Sequence, residues 1–261
     1  MPNTNGFDWW DEHVTNEIYL STHRADWWKF CGVIAALIAP HENVIDIGTG
    51  DGHTLWQIIS SASALPQFRV NHLTLVEPNE SGLRRAIHRC CELPVRSVSP
   101  YRMRFEQFAS GWRDCVKREK YDVLFASHVN YYLGTKSAYR AALDAMTEIA
   151  RTVILVTGPR TSDYYKVVRN PFGNYVYSDV VAAHYRSRGL LVKRIGTTMR
   201  FYVEHVNQSR HEAIVLWKFF NNTERQPTDV ELARFIANTN RVKDGDGNIN
   251  FRDDILVATA Q

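Results

Sequence analysis

Between Asn43 and Gly158 the chain repeats one pattern: a short apolar run rich in β-branched residues, then a longer segment with apolar residues three and four apart. NVIDIG, HLTLVEP, YRMRFEQF, YDVLFAS and TVILVTG read as strands, and GHTLWQIISSAS, ESGLRRAIHRCCEL and TKSAYRAALDAMTEIA as helices. Strands buried on both faces carry near-continuous apolar runs, and strand–helix alternation builds a parallel sheet with crossover helices on both sides. The pattern changes after Gly158. An aromatic, irregular stretch (159–178) leads into a helix at Ser178 to Ser187, and two strand-like runs follow, LVKRIGTTMRFYVEHV and HEAIVLWKFF. So direct a link makes two strands antiparallel. A helix over DVELARFIANTN and a last strand over FRDDILVATA close the sequence.

The first strand runs into a turn, VIDIGTGDGHT, with glycines at 48, 50 and 52. Glycines so placed let backbone approach something that a Cβ would hold off: a pyrophosphate, a nucleoside or a helix start. A dinucleotide fingerprint wants Gly-x-Gly-x-x-Gly, and His53 stands where its third glycine belongs. Asp46, two residues before the first glycine, disfavours an anionic pyrophosphate and favours a ligand with an ammonium group. S-adenosylmethionine has one, together with a cationic sulfonium and no phosphate. The second strand ends in Glu77, where a carboxylate can accept from both ribose hydroxyls, a device shared with NAD-binding folds.

Glycine spacing, acid placement and a parallel sheet with a reversed strand near its end together resemble the class I S-adenosylmethionine-dependent methyltransferase fold. That resemblance implies a Rossmann-like α/β protein with a mostly parallel seven-stranded sheet, one antiparallel strand, helices on both faces and an N-terminal helical cap. We read 1–261 as a single domain, with 1–40 as the cap and 159–178 as an aromatic insertion on the substrate side. YDVLFASHVNYYLGT, EAIVLWKFFNNTE and DGNINFRDDILVATA are similar to segments of the histamine N-methyltransferase-like group. The group implies methyl transfer to nitrogen or oxygen of a small aromatic or heterocyclic acceptor, as in specialised metabolism.

Ligands of an open α/β sheet bind outside the carboxyl ends of its strands. There the sequence puts Asp46, Gly48, Gly50, Glu77 and Pro78. Gln107 and Phe108 (with Glu106) follow the third predicted strand, where this fold often meets the adenine, or else cap the next helix. Ser127 ends the fourth strand beside the expected sulfonium. His128 stands where the family resemblance implies a substrate-contacting glutamine, so it is read as the catalytic candidate, a general base, against a structural histidine bonded to backbone. The family's substrate-meeting asparagine falls at about Asp253; alternatively Asp253 and Asp254 are strand-edge acids facing water. Tyr19, Trp27 and Tyr132 are candidates to line the acceptor pocket.

Other signals exclude more than they assign. A net charge of +3 with no long basic run gives no case for nucleic acid. Four cysteines without a CxxC pair fit reduced thiols in a cytoplasmic protein. The N-terminus lacks the basic start of a secretory leader, and the most apolar window, FCGVIAALIAP, is too short to span a bilayer. We therefore expect no membrane or nucleic-acid partner, a monomer or homodimer, and no metal. VKDGDGNINFRD imitates a calcium loop but opens on Val242, and reads as a hairpin turn. NPFG (170–173) superficially matches a base-methyltransferase motif but follows the wrong strand. An RNA or protein methyltransferase, a non-catalytic S-adenosylmethionine-binding regulator and an NAD-dependent oxidoreductase are the competing readings.

Overall fold

The computed structural model describes residues 27–116, 120–129, 136–168, 176–221 and 225–260. Tyr19, Tyr132, NPFG and the cap before Trp27 lie outside them. In chain order come α1 (Trp27–Ile38), β1 (Asn43–Ile47), α2 (His53–Ser63), β2 (His72–Val76), α3 (Glu80–Cys90), β3 (Ser97–Tyr101) and α4 (Phe105–Val116). They are followed by β4 (Tyr121–Ser127), α5 (Lys136–Ile149), β5 (Ala150–Thr157), the short α6 (Tyr164–Val167), α7 (Ser178–Ser187) and β6 (Leu191–Tyr202). A 3-10 turn (Glu204–Asn207), α8 (Arg210–Asn221), α9 (Asp229–Val242) and β7 (Asn248–Thr259) complete the series.

The seven strands form one sheet in the order β3-β2-β1-β4-β5-β7-β6. Pairings from β3 through β5 are parallel, and β7 runs antiparallel to both neighbours, so it is the one reversed strand, as expected. Alternate residues of a strand face opposite sides. Val44 therefore packs with α1 to α3 on one face, while Ile45 and Ile47 pack with α4, α5 and α7 on the other. A third apolar cluster lies under α8 and α9, where Phe201, Phe220 and Phe235 meet Ile249.

Two elements correct the sequence reading. HEAIVLWKFF is not a strand but most of α8, and its buried residues Ala213, Leu216, Trp217 and Phe220 recur at helical spacing. An unbroken apolar run hides that period. The antiparallel partner of β6 is β7. The third strand lies earlier than YRMRFEQF, at SVSPY. It is an edge strand, partly exposed and carrying Pro100, which an edge tolerates because one row of its backbone groups needs no partner. VKDGDGNINFRD is a helix-to-strand turn and not a hairpin. Asp244 Oδ1 accepts from the N–H groups of Asp246 and Asn248 at 3.0 and 2.8 Å, and Gly247 takes the left-handed turn at φ 78°.

Tyr164, from the aromatic stretch after Gly158, packs partly buried against the third cluster. The Tyr164 ring lies 5.6 Å from Phe220 and 5.2 Å from Phe251, and its hydroxyl donates to the Phe220 carbonyl at 2.7 Å. Asp163 stitches the stretch to β7: its N–H donates to the Asn250 carbonyl at 3.2 Å, and its Oδ2 accepts from Asn250 N–H at 3.1 Å. Among the described residues no helix is long and apolar enough to cross a membrane, and no cluster of three His, Cys, Asp or Glu side chains is placed to hold a metal. Cys31 and Cys90 are buried free thiols, their pKa pushed up to about 12 by burial.

Candidate functional site

The turn after β1 is built from left-handed glycines: φ is 68° at Gly48, 57° at Gly50 and 76° at Gly52. L-residues with a Cβ adopt this region at a cost, which explains three glycines so close together. Their surroundings differ. A Cβ on Gly52 would lie 2.6 Å from Ala86 Cα, so this glycine lets α2 start against α3. One on Gly48 would lie 2.5 Å from Val129 Cγ1, and one on Gly50 would meet nothing within 4 Å. Of the three, only Gly50 faces space open among the described residues, the side from which a ligand can approach the backbone.

Glu77 holds this turn to the next strand end. Its Oε2 accepts from Gly50 N–H and its Oε1 from Asn79 N–H, both at 2.9 Å. A carboxylate oxygen can accept more than one hydrogen bond. Asp46 is 4 % exposed beneath the same turn. Burial, with the added charge of Glu77, outweighs a bond from Thr49 and pushes its pKa up to about 8. Among the described residues no basic group offsets the Asp46 charge. Outside the turn, Arg89 of α3 grips Asp51 through its carboxylate and its carbonyl, each at 2.5 Å.

The remaining cofactor candidates are placed less uniformly. Pro78 is exposed at the end of β2, and Asn79 caps α3 by accepting from Gly82 N–H at 2.7 Å. Because β3 ends at Tyr101, Glu106, Gln107 and Phe108 lie in the first turn of α4, and the residues at the strand end are Arg102, Met103 and Arg104. Gln107 Oε1 accepts from Arg104 N–H at 3.0 Å, the capping role weighed as the alternative. The Phe108 ring is fully buried, edge-on to Tyr101 at 5.2 Å. Ser127 is half-buried at the end of β4, and Trp27 opens α1.

His128 and Asp253 come together across the sheet. β5 separates their strands, yet both stand at its carboxyl end, with Nε2 of His128 3.2 Å from Oδ2 of Asp253. His128 is the one non-glycine residue with positive φ among those described, at 55°. Its N–H donates to the Val156 carbonyl at 3.1 Å. Neither aspartate faces water: Asp253 is 2 % exposed, and Asp254 4 %. Asp254 is bound by Ser178 Oγ and Arg194. Sequence reasoning picked both partners of the histidine contact without pairing them. It also passed over His53 and Trp56, whose buried Nε2 and Nε1 make no hydrogen bond among the described residues; the only signal was His53 standing in a glycine position.

A second concavity, about 680 Å³, lies at the opposite, amino ends of the strands, lined among others by Arg69, Arg96, Lys120 and Arg151. Helices crossing back over a parallel sheet end there, and cations complement helix C-termini; Lys120 Nζ donates to Thr147 O in the last turn of α5 at 2.9 Å.

No protein-family model matches the chain, and no curated protein does. Solved structures do resemble it. The YcgJ protein of Bacillus subtilis superposes with a TM-score of 0.59 at 13% identity, over 88% of this chain and 98% of that one. Magnesium protoporphyrin IX methyltransferase from Synechocystis, with bound S-adenosylhomocysteine, gives 0.52 at 14% identity, over 90% and 83%. A SAM-dependent methyltransferase of Geobacter sulfurreducens in complex with S-adenosylhomocysteine gives 0.50 at 16% identity, over 94% and 96%. The chain has the Rossmann-like fold of these structures, the latter two of them methyltransferases.

Proposed function

We propose that the chain binds S-adenosylmethionine in the crevice formed by the β1 turn and the end of β2, and transfers its methyl group to nitrogen or oxygen of a small aromatic or heterocyclic molecule. One observation carries the reading: two buried carboxyl groups, Asp46 and Glu77, flank a glycine turn open at Gly50 among the described residues, none of which supplies a cation that would favour the ionised form of Asp46. A ligand bringing an ammonium group would favour the ionised Asp46, whereas a pyrophosphate would oppose its ionisation. S-adenosylmethionine would supply an activated methyl on a cationic sulfur. Asp46 would receive the ammonium, Glu77 the ribose hydroxyls, and Gly48 and Gly50 the close backbone approach. Pro78 and Gln107, with the neighbouring Met103, would form the adenine side, with the buried Phe108 ring packed behind them. Ser127 and His128 face the reacting end, and Tyr19, Trp27 and Tyr132 are proposed to line the acceptor pocket.

Support for a small acceptor comes from placement. The Tyr165 and Tyr177 rings lie 4.8 Å apart beyond the end of β5, and the basic concavity at the amino ends is on the wrong side to guide RNA to the crevice. The fold neighbours support methyl transfer as the activity. Isothermal calorimetry tests the reading: S-adenosylmethionine should bind in the micromolar range and NAD should not. Asp46→Ala should weaken the first by at least about tenfold, the loss of one charge-assisted contact. NAD binding in preference to S-adenosylmethionine would refute the proposal.

A further inference from the structure

We propose that His128 and Asp253 form a base dyad that removes a proton from the acceptor as it is methylated, so that the acceptor is a phenol-type hydroxyl or the ring N–H of a heterocycle and not an alkylamine. This rests on the methyltransferase reading and narrows its substrate class, which fold and motif leave open. The geometry comes first. Asp253 Oδ2 is buried and, apart from the imidazole Nε2 3.2 Å away, has no polar partner among the described residues. A carboxylate oxygen is expensive to bury without a partner, and the expense is recovered when the imidazole beside it becomes a cation. His128 is also held in a left-handed conformation that a histidine adopts only at some cost, and such strain concentrates where a side chain must be aimed.

Val156 and Thr157 of β5, the strand between the two, do not titrate, and among the described residues Asp253 on β7 is the charged group acting on the imidazole. Burial pulls the histidine pKa down, but the Asp253 carboxylate outweighs it, and the net direction is up. With Nε2 turned to Asp253, Nδ1 is the nitrogen left for the acceptor. In the step, the acceptor's electron pair forms a bond to the sulfonium methyl carbon as the carbon–sulfur bond breaks, its pair staying on sulfur. The acceptor's proton moves to His128 Nδ1. The positive charge of the sulfonium thereby ends on the imidazolium, facing Asp253, and the proton later leaves to water. An alkylamine that is already neutral and nucleophilic gains little from this machinery; a phenol or an azole N–H gains a great deal. Asp253, read from the sequence as a substrate contact, becomes a positioning residue.

The test uses the full chain. Tritiated-methyl transfer is measured against simple phenols, N–H azoles and indoles, and primary and secondary alkylamines, and the His128 pKa is read by NMR titration. We expect transfer to phenols or ring N–H groups, with kcat/KM falling at low pH along the His128 titration. Asp253→Asn should move both the NMR pKa and that acid limb to lower pH and slow transfer by about 100-fold, leaving the S-adenosylmethionine Kd unchanged. His128→Asn, a residue that tolerates left-handed backbone, should lose at least as much rate at unchanged Kd, and covers the case in which Asp253→Asn does not fold. Transfer to alkylamines alone, no transfer to any of the three classes by a protein that binds S-adenosylmethionine, or a pKa and acid limb unmoved in Asp253→Asn would overturn the dyad. Failure of the wild type to bind S-adenosylmethionine would instead refute the parent reading, while the NMR titration would still report whether the pair is coupled.

Discussion

Replacing Gly52 with alanine separates the two duties of the glycine turn. At φ 76° the new residue takes left-handed backbone, at about 1–2 kcal/mol. Its Cβ would lie 2.6 Å from Ala86 Cα and 2.7 Å from Ala86 Cβ, both under 3 Å, and the nearer belongs to backbone, which cannot rotate away. Forcing α2 off α3 to relieve that overlap adds about 1–3 kcal/mol. The lower chain entropy of unfolded alanine returns about 0.4–1 kcal/mol. The balance is a destabilisation of about 2–4 kcal/mol, a drop in Tm on the order of 5–15 °C for a chain of this length. Gly50→Ala is the matched control: the same backbone strain, at φ 57°, but no atom of the described residues within 4 Å of the new Cβ. It should lose no more than about 1–2 kcal/mol of stability yet weaken S-adenosylmethionine binding, because its Cβ fills the open side. Urea melts followed by tryptophan fluorescence, with calorimetric titrations, give both quantities. Adding Ala86→Gly to Gly52→Ala should rescue only part of the loss, since the overlap with the backbone at position 86 remains. Equal stability for the two single variants, or Gly52→Ala within about 0.5 kcal/mol of wild type, within the range of an ordinary surface change, would refute the packing argument.

Two further outcomes follow from the same turn. Asp46 holds its proton up to about pH 8 in the folded protein and only to about pH 4 when unfolded, so the native state binds the extra proton and stability falls as pH rises through that window. An ammonium ligand favours the charged carboxylate, so S-adenosylmethionine affinity should rise between about pH 6 and 8 with release of up to one proton, read by calorimetry in buffers of different ionisation enthalpy; a flat affinity, or the same release in Asp46→Asn, would sink the assignment. Gly48→Ala would press its Cβ on Val129 Cγ1, next to His128, and should lower both S-adenosylmethionine affinity and turnover, whereas unchanged turnover at saturating S-adenosylmethionine would disconnect the turn from the dyad.

What the sequence revealed, and what it hid, follows from the range of each interaction. Asp46, the glycines and Glu77 were readable because strand, turn and acid are local in the chain and each constrains its neighbour's chemistry. β1, β2, β4 and β5 were readable because burial on both faces demands continuous apolar residues. β3 was misplaced because an edge needs neither apolar continuity nor freedom from proline, and SVSPY has neither. α8 was misread because Ile214 and Val215, off its buried face, are apolar too and join the buried positions into one run. The His128–Asp253 contact could not be read at all, since it depends on the order β4-β5-β7, and nothing in either segment specifies which strand lies next.

That strand order also explains how the β1 turn, Glu77, His128 and Asp253 reach one edge of the sheet. The parallel strands β1, β2 and β4 all end at the same edge, so the β1 turn, Glu77 and His128 arrive there by direction alone. β7 runs the other way, and its early residues are therefore the ones that reach this edge: Asp254 is opposite Thr157, the last residue of β5, and Asp253 stands one step beyond. A parallel seventh strand would deliver its C-terminal end here, and Asp253 would lie well down in the sheet. Reversal of one strand thus lets a carboxylate from a distant part of the chain meet a histidine at the end of β4. Because Val129 packs on Gly48 immediately beside that histidine, the turn that would hold the cofactor and the base that would serve the acceptor rest on one another, and neither can shift without the other.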